Sequence, residues 1–231
     1  MLTKYNMPEQ NLAKFCAGCG HPVALNFLYK ALERNQVVDK AVLGLDIGCS
    51  LLAWNFLPIN TFQTHHGRVT PTVMGYKRAR PDSVCVGYTG DGGAYSIGLQ
   101  SLLHAARRDE PITILVINNT VYGMTGGQTA PTTLHGQKTD TDPTGYEGEP
   151  MMGAELVKAV ARDGAFVART AVNEVKQLAD YLDQALAAQK AGHFSLVEVL
   201  SYCPTNWKTK GIETNNYLND KLKPVFKMGL L

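Results

Sequence analysis

Two kinds of apolar pattern alternate along the chain. Runs of apolar, often β-branched residues predict buried strands, and apolar residues repeated every three or four positions predict amphipathic helices. The predicted strands are 41–45, 83–88, 112–117, 165–169 and 194–200, and the predicted helices are 22–34, 70–80, 97–106, 154–161 and 174–190. Because strands that alternate with helices form a parallel sheet covered on both faces, the pattern predicts a doubly wound, mostly parallel α/β fold. No linker or repeat divides the chain, so we expect a single domain over residues 1–231.

The stretch 83–119 predicts a strand–turn–helix–strand unit with polar groups at both strand ends. Its first strand ends at Gly90-Asp91-Gly92-Gly93, and its second strand ends at Asn118-Asn119. Ligands of open parallel sheets bind beyond the carboxyl ends of the strands, so Asp91 and Asn119 should lie close together. Their oxygens suit Mg²⁺ or Ca²⁺, and the glycines let backbone N–H groups approach an anion. The unit predicts a diphosphate bridged to Mg²⁺, with a plain surface turn as the alternative.

Four of the five cysteines are predicted at the same edge of the sheet. Cys16 and Cys19 form a C-x-x-C loop, a spacing found in iron and zinc sites and in redox pairs. Cys49 follows the first predicted strand, and Cys203, in a Cys-Pro pair, follows the last. The loop and the strand ends can bring four sulfurs together, which predicts an iron–sulfur site or a Cys₄ zinc site. Cys85 lies within a predicted strand and is expected in the core.

Composition narrows the class of protein. The chain has 231 residues, of which 45% are apolar, enough for a sizeable core. Its net charge is +2 and its basic residues are not clustered, which gives no indication of a nucleic-acid partner. No apolar run approaches the roughly 20 residues of a membrane helix, and the first residues lack the apolar core of a secretory signal. We therefore expect a cytoplasmic protein without a membrane partner, whose cysteines serve metal binding or chemistry.

Three further segments lie outside the regular pattern. One is a predicted loop, His65-His66-Gly67-Arg68. Its two histidines are expected to be exposed to solvent or to act as structural hydrogen-bond donors, with ligand binding as the alternative. Loop 120–152 is long and rich in Gly, Thr, Pro and Asp, as functional loops often are. Its first part should wrap the diphosphate, and 134–150 is predicted as a lid, a subunit contact or a mobile surface loop. The tail from about residue 205 is polar, and 217–231 is predicted as an arm on another subunit.

These motifs resemble those of a known enzyme family. The spacing from Gly90-Asp91-Gly92-Gly93 to Asn118-Asn119 resembles the thiamine-diphosphate motif. The longer string NNTVYGMTGGQTAPT, residues 118–132, resembles the β subunits of 2-oxoacid:ferredoxin oxidoreductases. The resemblance extends from Cys16 to about Trp207. It implies a thiamine-diphosphate-binding fold of the diphosphate-binding (PP) type.

The resemblance also implies a role for individual residues. Mg²⁺ would be held by Asp91, Asn119 and the carbonyl of Val121. His66 and Arg68, from the HGR string, are the candidate catalytic residues; His66 would contact the cofactor, and Arg68 would meet a phosphate or the substrate carboxylate. The residues that would line the cofactor are Ile47, Gly48, Cys49, Ser50, His66, Gly92, Gly93, Gly123 and Met124. The ligands of a [4Fe–4S] cluster would be Cys16, Cys19, Cys49 and Cys203.

The implied reaction is the oxidative decarboxylation of a 2-oxo acid to acyl-CoA, with electrons passed through the cluster to ferredoxin. A pyrimidine-binding domain and its glutamate do not fit within this chain, so the resemblance implies a partner α subunit that supplies them. Additional γ and δ subunits are compatible with it.

The alternative function is a subunit of a non-oxidative thiamine-diphosphate decarboxylase or lyase, because such an enzyme needs the strand–turn–helix–strand unit but not the cysteines. An iron–sulfur carrier with a degenerate cofactor pocket is a third interpretation. Pyruvate, 2-oxoglutarate, branched-chain and aromatic 2-oxo acids all fit the chemistry.

Overall fold

The structure is a computed structural model that describes residues 14–231. Its strands are β1 Ala41–Leu45, β2 Asn60–Gln63, β3 Val84–Gly90, β4 Thr113–Asn118, β5 Val121–Tyr122, β6 Gln128–Thr129, β7 Phe166–Ala171, β8 Ser195–Leu200 and β9 Gly229–Leu230. Its α-helices are α1 His21–Arg34, α2 Val69–Ala79, α3 Asp91–Tyr95, α4 Leu99–Arg107, α5 Gly153–Val160, α6 Val175–Lys190, α7 Pro204–Trp207, α8 Ile212–Tyr217 and α9 Lys223–Val225. Two 3₁₀ segments, Val38–Lys40 and Cys49–Asn55, and a π-helical segment, Leu218–Leu222, complete the regular structure.

Seven strands form the main sheet in the order β2-β1-β3-β4-β8-β7-β9. All neighbouring pairs are parallel except β7 and β9, which run antiparallel. The predicted doubly wound, mostly parallel sheet is therefore confirmed. The strands β2 and β9 and the small antiparallel hairpin of β5 and β6 were not predicted, because segments of two to four residues carry no periodic signal.

Helices cover both faces of the sheet. Along β4, Ile114 and Val116 pack in one apolar cluster, and Leu115 and Ile117 pack in the other, because successive side chains of a strand point to opposite faces. The first cluster includes residues of α2, α4 and α5, and the second includes residues of α1 and α6. All six residues of β4 are buried, as expected for a central parallel strand with helices on both sides.

The predicted elements agree with the observed ones to within two residues at each end. One apolar position was assigned wrongly. Ile97 was predicted on the buried face of the helix that becomes α4, but it precedes α4 and is 53% exposed. The reason is that α3 ends at Tyr95 and the chain turns at Ser96, so the periodic spacing crosses a break between two helices. Leu102 and Ala106 are buried as predicted.

The C-terminal segment packs on this chain's own sheet. Leu218, Leu222 and Phe226 are spaced four residues apart, and all three are 0% exposed. Beyond them, β9 pairs with β7, with Leu230 opposite Ala168. The apolar face of this otherwise polar segment is thus packed within the chain, and the predicted arm on another subunit stays a prediction. Over residues 14–231, no helix has the length and apolar character needed to cross a membrane.

Candidate active site

The loops that follow β1, β3 and β4 meet at the carboxyl edge of the sheet. Because β1, β3 and β4 pair in parallel, their ends lie side by side. A cleft opens between these loops, and the predicted magnesium ligands Asp91, Asn119 and Val121 line it. The residues predicted to line the cofactor all line the same cleft: Ile47, Gly48, Cys49, Ser50, His66, Gly92, Gly93, Gly123 and Met124. The structure therefore brings this whole predicted set together.

Asp91 is the acidic side chain of the cleft. It begins α3, is 2% exposed, and accepts a hydrogen bond from the hydroxyl of Thr132. Burial raises the pKa of Asp91 to about 7, although the hydrogen bond from Thr132 acts in the opposite direction. A buried carboxylate is stabilised by a nearby cation, so Asp91 fits the predicted Mg²⁺ ligand.

The other two predicted magnesium ligands lie on the turn after β4. Asn119 is 5% exposed, and its Oδ1 accepts a hydrogen bond from the backbone N–H of Val121 at 3.2 Å. The carbonyl of Asn119 accepts a hydrogen bond from Trp207 Nε1 at 3.0 Å. Thr120, between the two, has a φ of +64°, a value uncommon for a residue other than glycine. The turn is tight, and it offers hard amide and carbonyl oxygens of the kind Mg²⁺ prefers.

Two glycines let the backbone line the cleft. A Cβ at Gly92 would overlap the ring of Tyr122, and a Cβ at Gly93 would overlap the carboxylate of Asp46. A side chain at Gly93 would have to displace the buried carboxylate of Asp46, and one at Gly92 would have to displace the partly exposed ring of Tyr122. Bare backbone next to a buried carboxylate fits a bound diphosphate, because an anion can approach the N–H groups closely.

Asp46 holds three loops together behind the cleft, and sequence reasoning did not assign it a role. It follows β1 and is 0% exposed. Its Oδ1 accepts hydrogen bonds from the backbone N–H groups of Ile47 at 3.0 Å and Gly67 at 2.8 Å, and its Oδ2 accepts one from the hydroxyl of Thr89 at 2.7 Å. Burial raises the pKa of Asp46, while these hydrogen bonds lower it. The only sequence feature that pointed to a role for Asp46 was the position of an acidic residue directly after a buried strand.

His21 is a second residue of the cleft that sequence reasoning missed. It begins α1, is 1% exposed, and its Nδ1 lies 2.6 Å from the hydroxyl of Tyr88. Its ring stacks on that of Phe15, with 5.2 Å between the ring centroids. Burial lowers the pKa of His21 to about 3, so the imidazole is neutral at pH 7. It lines the cleft as a neutral hydrogen-bonding group and not as a cation.

The HGR string divides between the cleft and the surface. His66 lines the cleft, and the backbone N–H of Gly67 donates to Asp46. Arg68 is exposed and does not line the cleft, and His65 is exposed as well. The structure therefore brings His66 to the predicted site and leaves the Arg68 side chain outside it. The substrate or phosphate contact of Arg68 stays a prediction.

The four cysteines predicted as ligands lie near one another. A Cβ at Gly123 would lie 3.2 Å from Cys49 Sγ and 3.7 Å from Cys203 Sγ. Cys16 and Cys19 are joined by a turn in which the backbone N–H of Cys19 donates to the carbonyl of Cys16 at 3.0 Å. Burial, with the neighbouring cysteines acting in the same direction, raises the pKa values of Cys19 and Cys49 to about 12. Four mutually close thiols of this kind suit a group that binds them as thiolates.

Within residues 14–231, no group of three or more His, Cys, Asp or Glu side chains has the geometry of a site for a single metal ion. All five cysteines are free thiols in the described chain. Cys85 is 1% exposed within β3, in the core where the sequence placed it.

Loop 120–152 is anchored at its start and folds back on itself further on. The side chain of Thr132 reaches Asp91, and Thr133 donates to the carbonyl of Thr120 at 2.6 Å. In the part predicted as a lid or contact, the backbone N–H of Gly136 donates to the carbonyl of Tyr146 at 2.7 Å. Sequence reasoning did not find Thr132, because a threonine in a polar loop is ordinary until folding brings it to Asp91.

Comparison with known proteins places this fold and site in a family. The family described as the thiamine pyrophosphate enzyme C-terminal TPP-binding domain matches residues 46–199. The 2-oxoglutarate:ferredoxin oxidoreductase from Magnetococcus marinus, solved with 2-oxoglutarate, coenzyme A and succinyl-CoA bound, superposes with a TM-score of 0.80 at 29% identity, over 94% of this chain and 71% of that chain. The 4-hydroxybenzoylformate decarboxylase from Rhodococcus jostii shares the fold, with a TM-score of 0.50 at 20% identity, over 77% of this chain and 32% of that chain.

Curated relatives point the same way. The chain is 37% identical over 210 residues to the 2-oxoglutarate synthase subunit KorB of Archaeoglobus fulgidus, covering 90% of this chain and 76% of that subunit. It is 36% identical over 220 residues to the ketoisovalerate oxidoreductase subunit VorA of Methanothermobacter thermautotrophicus, covering 92% of this chain. The chain spans about half the length of VorA, 46% of it. From the matched domain and these relatives, the chain belongs to the thiamine-pyrophosphate-binding enzymes, in the family of 2-oxoacid:ferredoxin oxidoreductase β subunits.

Proposed function

We propose that this chain is the β subunit of an enzyme that oxidatively decarboxylates a 2-oxo acid to acyl-CoA and passes the electrons to ferredoxin. One observation carries the proposal: the predicted cofactor-lining residues and magnesium ligands line one cleft, and Cys49 belongs both to that cleft and to the group of four cysteines. The names of the relatives, all oxidoreductase or synthase subunits for 2-oxo acids, support the same conclusion.

The cleft is proposed to bind thiamine diphosphate through Mg²⁺. Asp91, Asn119 and the carbonyl of Val121 would hold the metal, and the backbone at Gly92 and Gly93 would lie against the diphosphate. When bound, this cofactor supplies the nucleophilic carbon and the electron sink for decarboxylation of a 2-oxo acid. Asp91 suits its role because its burial makes an uncompensated negative charge costly, a cost that a divalent cation removes.

Two polar side chains of the cleft are available to orient bound molecules. The hydroxyl of Ser50 is buried and has no hydrogen-bond partner among the described residues. His21 is held by Tyr88 through Nδ1, which leaves Nε2 as the other hydrogen-bonding atom of its neutral ring. Buried polar groups normally find partners, so we infer that Ser50 and His21 hydrogen-bond to the cofactor or the substrate.

The four cysteines, Cys16, Cys19, Cys49 and Cys203, are proposed as the ligands of a [4Fe–4S] cluster. Such a cluster accepts electrons from a donor and passes them to another carrier. Gly123 supports this arrangement, because it lines the cofactor cleft and also lies against Cys49 and Cys203. Gly123 would therefore lie beside both groups if the cofactor and the cluster were bound at these residues.

The rim of the cleft supports a partner subunit. Ile97, Tyr122 and Met124 line the cleft and are 53%, 36% and 42% exposed. Exposed apolar side chains clustered at the mouth of a cleft indicate a surface that another protein covers. We propose that an α subunit covers it and supplies the pyrimidine-binding domain with its glutamate. Further γ and δ subunits, ferredoxin and coenzyme A follow from the family resemblance.

The test uses the complex purified without oxygen from cells that make this chain with its partner subunit. A panel of 2-oxo acids is assayed with coenzyme A and a viologen dye as electron acceptor, and the protein is scanned for the broad absorbance of an iron–sulfur cluster. We expect a brown protein that dithionite bleaches, and viologen reduction with at least one 2-oxo acid.

The matched variants are Cys19→Ser and Cys85→Ser. Cys19→Ser should lose the colour and the viologen reduction, whereas Cys85→Ser should keep both, because Cys85 lies in the core within β3. A colourless protein with stoichiometric zinc that does not reduce the viologen would favour a non-oxidative thiamine enzyme instead. A Cys19→Ser variant with full viologen reduction would contradict the role of Cys19 as a cluster ligand.

A further inference from the structure

A fully buried ion pair lies behind the metal-binding turn. Arg169 on β7 and Glu198 on β8 stand directly opposite each other in the sheet, and both side chains are 0% exposed. Arg169 Nε donates to Glu198 Oε2 at 2.7 Å. Burying two charges costs more free energy than a well-packed apolar pair of the same size, so stability alone does not explain the pair. Its neighbours on either side indicate what it does.

The guanidinium of Arg169 is fixed from its outer side. Arg169 Nη1 donates to Glu155 Oε1 at 2.7 Å and to the carbonyl of Lys227 at 3.0 Å. Its Cζ lies 5.4 Å from the ring centroid of Phe226. All three nitrogens of the guanidinium are therefore engaged, since Nη2 also donates to Glu155. Arg169 cannot turn away from Glu198 without breaking several of these contacts.

The carboxylate of Glu198 reaches the other way, toward the cleft. Its Oε1 accepts a hydrogen bond from Asn118 Nδ2 at 2.7 Å, and Asn118 is 0% exposed. The Oδ1 of Asn118 in turn accepts a hydrogen bond from the backbone N–H of Thr120 at 3.1 Å. Thr120 is the residue with the positive φ between the two predicted ligands Asn119 and Val121.

We propose that Arg169 and Glu198 are positioning residues that hold Asn118, and through Asn118 the turn that presents Asn119 and Val121 to the metal. The first asparagine of the pair is then the link to the turn, and the second is the ligand. The inference rests on the proposed function of the cleft, because it assigns the turn to Mg²⁺. An amide whose oxygen is committed to Thr120 must point its N–H₂ group into the sheet, and Glu198 provides the acceptor there.

The test measures how much Mg²⁺ is needed for half-maximal thiamine diphosphate binding, by calorimetry on the co-purified complex. Asn118→Asp keeps an acceptor for the Thr120 N–H but sets a carboxylate against Glu198. Since partners behind metal ligands typically contribute this much to metal affinity, we expect the variant to need about 10- to 100-fold more Mg²⁺. Glu198→Gln alone should also weaken Mg²⁺ binding. Asn118 and Arg169 both donate hydrogen bonds to Glu198, and one of these donors would then face the NH₂ group of the glutamine.

The double variant Asn118→Asp with Glu198→Gln is the decisive case. Its glutamine amide can donate to Asp at 118 while its oxygen still accepts from Arg169, so the chain of hydrogen bonds is restored with one donor reversed. We expect the Mg²⁺ requirement to return to within about threefold of the wild type, a coupling that independent sites would not show. Leu186→Ala, in α6 and buried outside this chain of contacts, is the control that lowers the melting temperature without changing the Mg²⁺ requirement.

Two outcomes would overturn the proposal. The first is that Asn118→Asp or Glu198→Gln alone needs no more Mg²⁺ than the wild type. The second is that the double variant needs as much Mg²⁺ as the more affected of the two single variants. If Asn118→Asp does not fold, Glu198→Gln and the double variant still decide between these outcomes. A wild-type complex that does not bind thiamine diphosphate at any Mg²⁺ concentration contradicts the proposed function itself, so that failure is distinguishable.

Discussion

The carboxylate of Asp46 occupies the space that a side chain at Gly93 would need. A Cβ at Gly93 would overlap Asp46 Oδ2, the atom that also accepts the hydrogen bond of Thr89 at 2.7 Å. Through its Oδ1, the same carboxylate holds the backbone N–H of Gly67 at 2.8 Å. The ends of β1 and β3 and the HGR loop are thus fixed around one buried acid, which makes the turn of Gly93 sensitive to any added atom.

The first prediction concerns Gly93→Ala. The added methyl group should displace Asp46 and misplace the turn after β3, so Mg²⁺-dependent binding of thiamine diphosphate should be lost and the free energy of unfolding should fall by about 1–3 kcal/mol. Calorimetry and denaturant unfolding of the co-purified complex measure the two effects. Gly75→Ala is the matched control: it lies in α2 with open space around its Cβ, and should gain about 0.5–1 kcal/mol. Unchanged cofactor binding in Gly93→Ala would contradict the role given to this contact.

The second prediction separates the two proposed cofactors. Asp91→Ala removes a proposed Mg²⁺ ligand and should abolish retention of thiamine diphosphate, because no other carboxylate among residues 14–231 lines the cleft. The absorbance of the iron–sulfur cluster should stay, because Asp91 is not one of the four proposed cluster ligands. Asp82→Ala, at an exposed aspartate, should change neither property. Loss of colour in Asp91→Ala would show that the two sites depend on each other for folding.

The third prediction follows from the burial of Cys85. Burial raises the pKa of its thiol from 9.0 to about 11. At pH 8 the thiolate fraction is then roughly one in a thousand instead of one in ten, so iodoacetamide should label Cys85 at least about 100-fold more slowly in the folded than in the unfolded protein. Mass spectrometry of the labelled peptide measures the rate. Fast labelling at pH 8 would mean that β3 opens readily.

The raised pKa of Cys85 also makes the stability of the folded chain fall at alkaline pH. Above pH 9 the unfolded chain releases the proton of Cys85, whereas the folded chain keeps it until about pH 11. The contribution of Cys85 to the free energy of unfolding is therefore full below pH 9 and is lost as the pH rises toward 11. Cys85→Ala should remove this part of the alkaline loss, which unfolding curves at pH 8 and pH 10 would measure.

The fourth prediction concerns the C-terminal segment. Phe226→Ala empties a fully buried position next to Arg169 and should lower the free energy of unfolding by about 3–5 kcal/mol. Leu230→Ala, in the same segment but 63% exposed, should change it by no more than about 0.5 kcal/mol. Denaturant unfolding of both variants is the measurement. Equal stability of Phe226→Ala and the wild type would indicate that the segment leaves the chain and binds another subunit.

Much of the fold was predictable because the information is local. Apolar runs mark the strands, and residues that follow each strand must lie at one edge when the sheet is parallel. That reasoning placed Asp91, Asn119 and Cys49 around one cleft before any contact was known, and the structure has all three there.

The residues that the sequence did not reveal act through contacts between distant parts of the chain. Thr132 and Asp91 are 41 residues apart, and His21 and Tyr88 are 67 residues apart. Neither pair has a spacing or a motif of its own, so only the packed structure shows them. The burial of Leu218 and Phe226 was not predicted for a related reason. A few apolar residues in a polar tail give no sequence signal of the part of the sheet against which they pack.

The two edges of the main sheet differ because β9 pairs with β7 at one of them. At the β7 margin, the last residues of the chain occupy backbone groups that another strand would otherwise use. At the opposite margin, β2 has no further neighbour within residues 14–231, and Asn60 and Gln63 are exposed there. Strand addition by a second protein is favoured where a sheet edge is open. The edge at β2 is four residues long and the edge at β9 only two, so backbone pairing with a further strand is better supported on the flank away from the C-terminus.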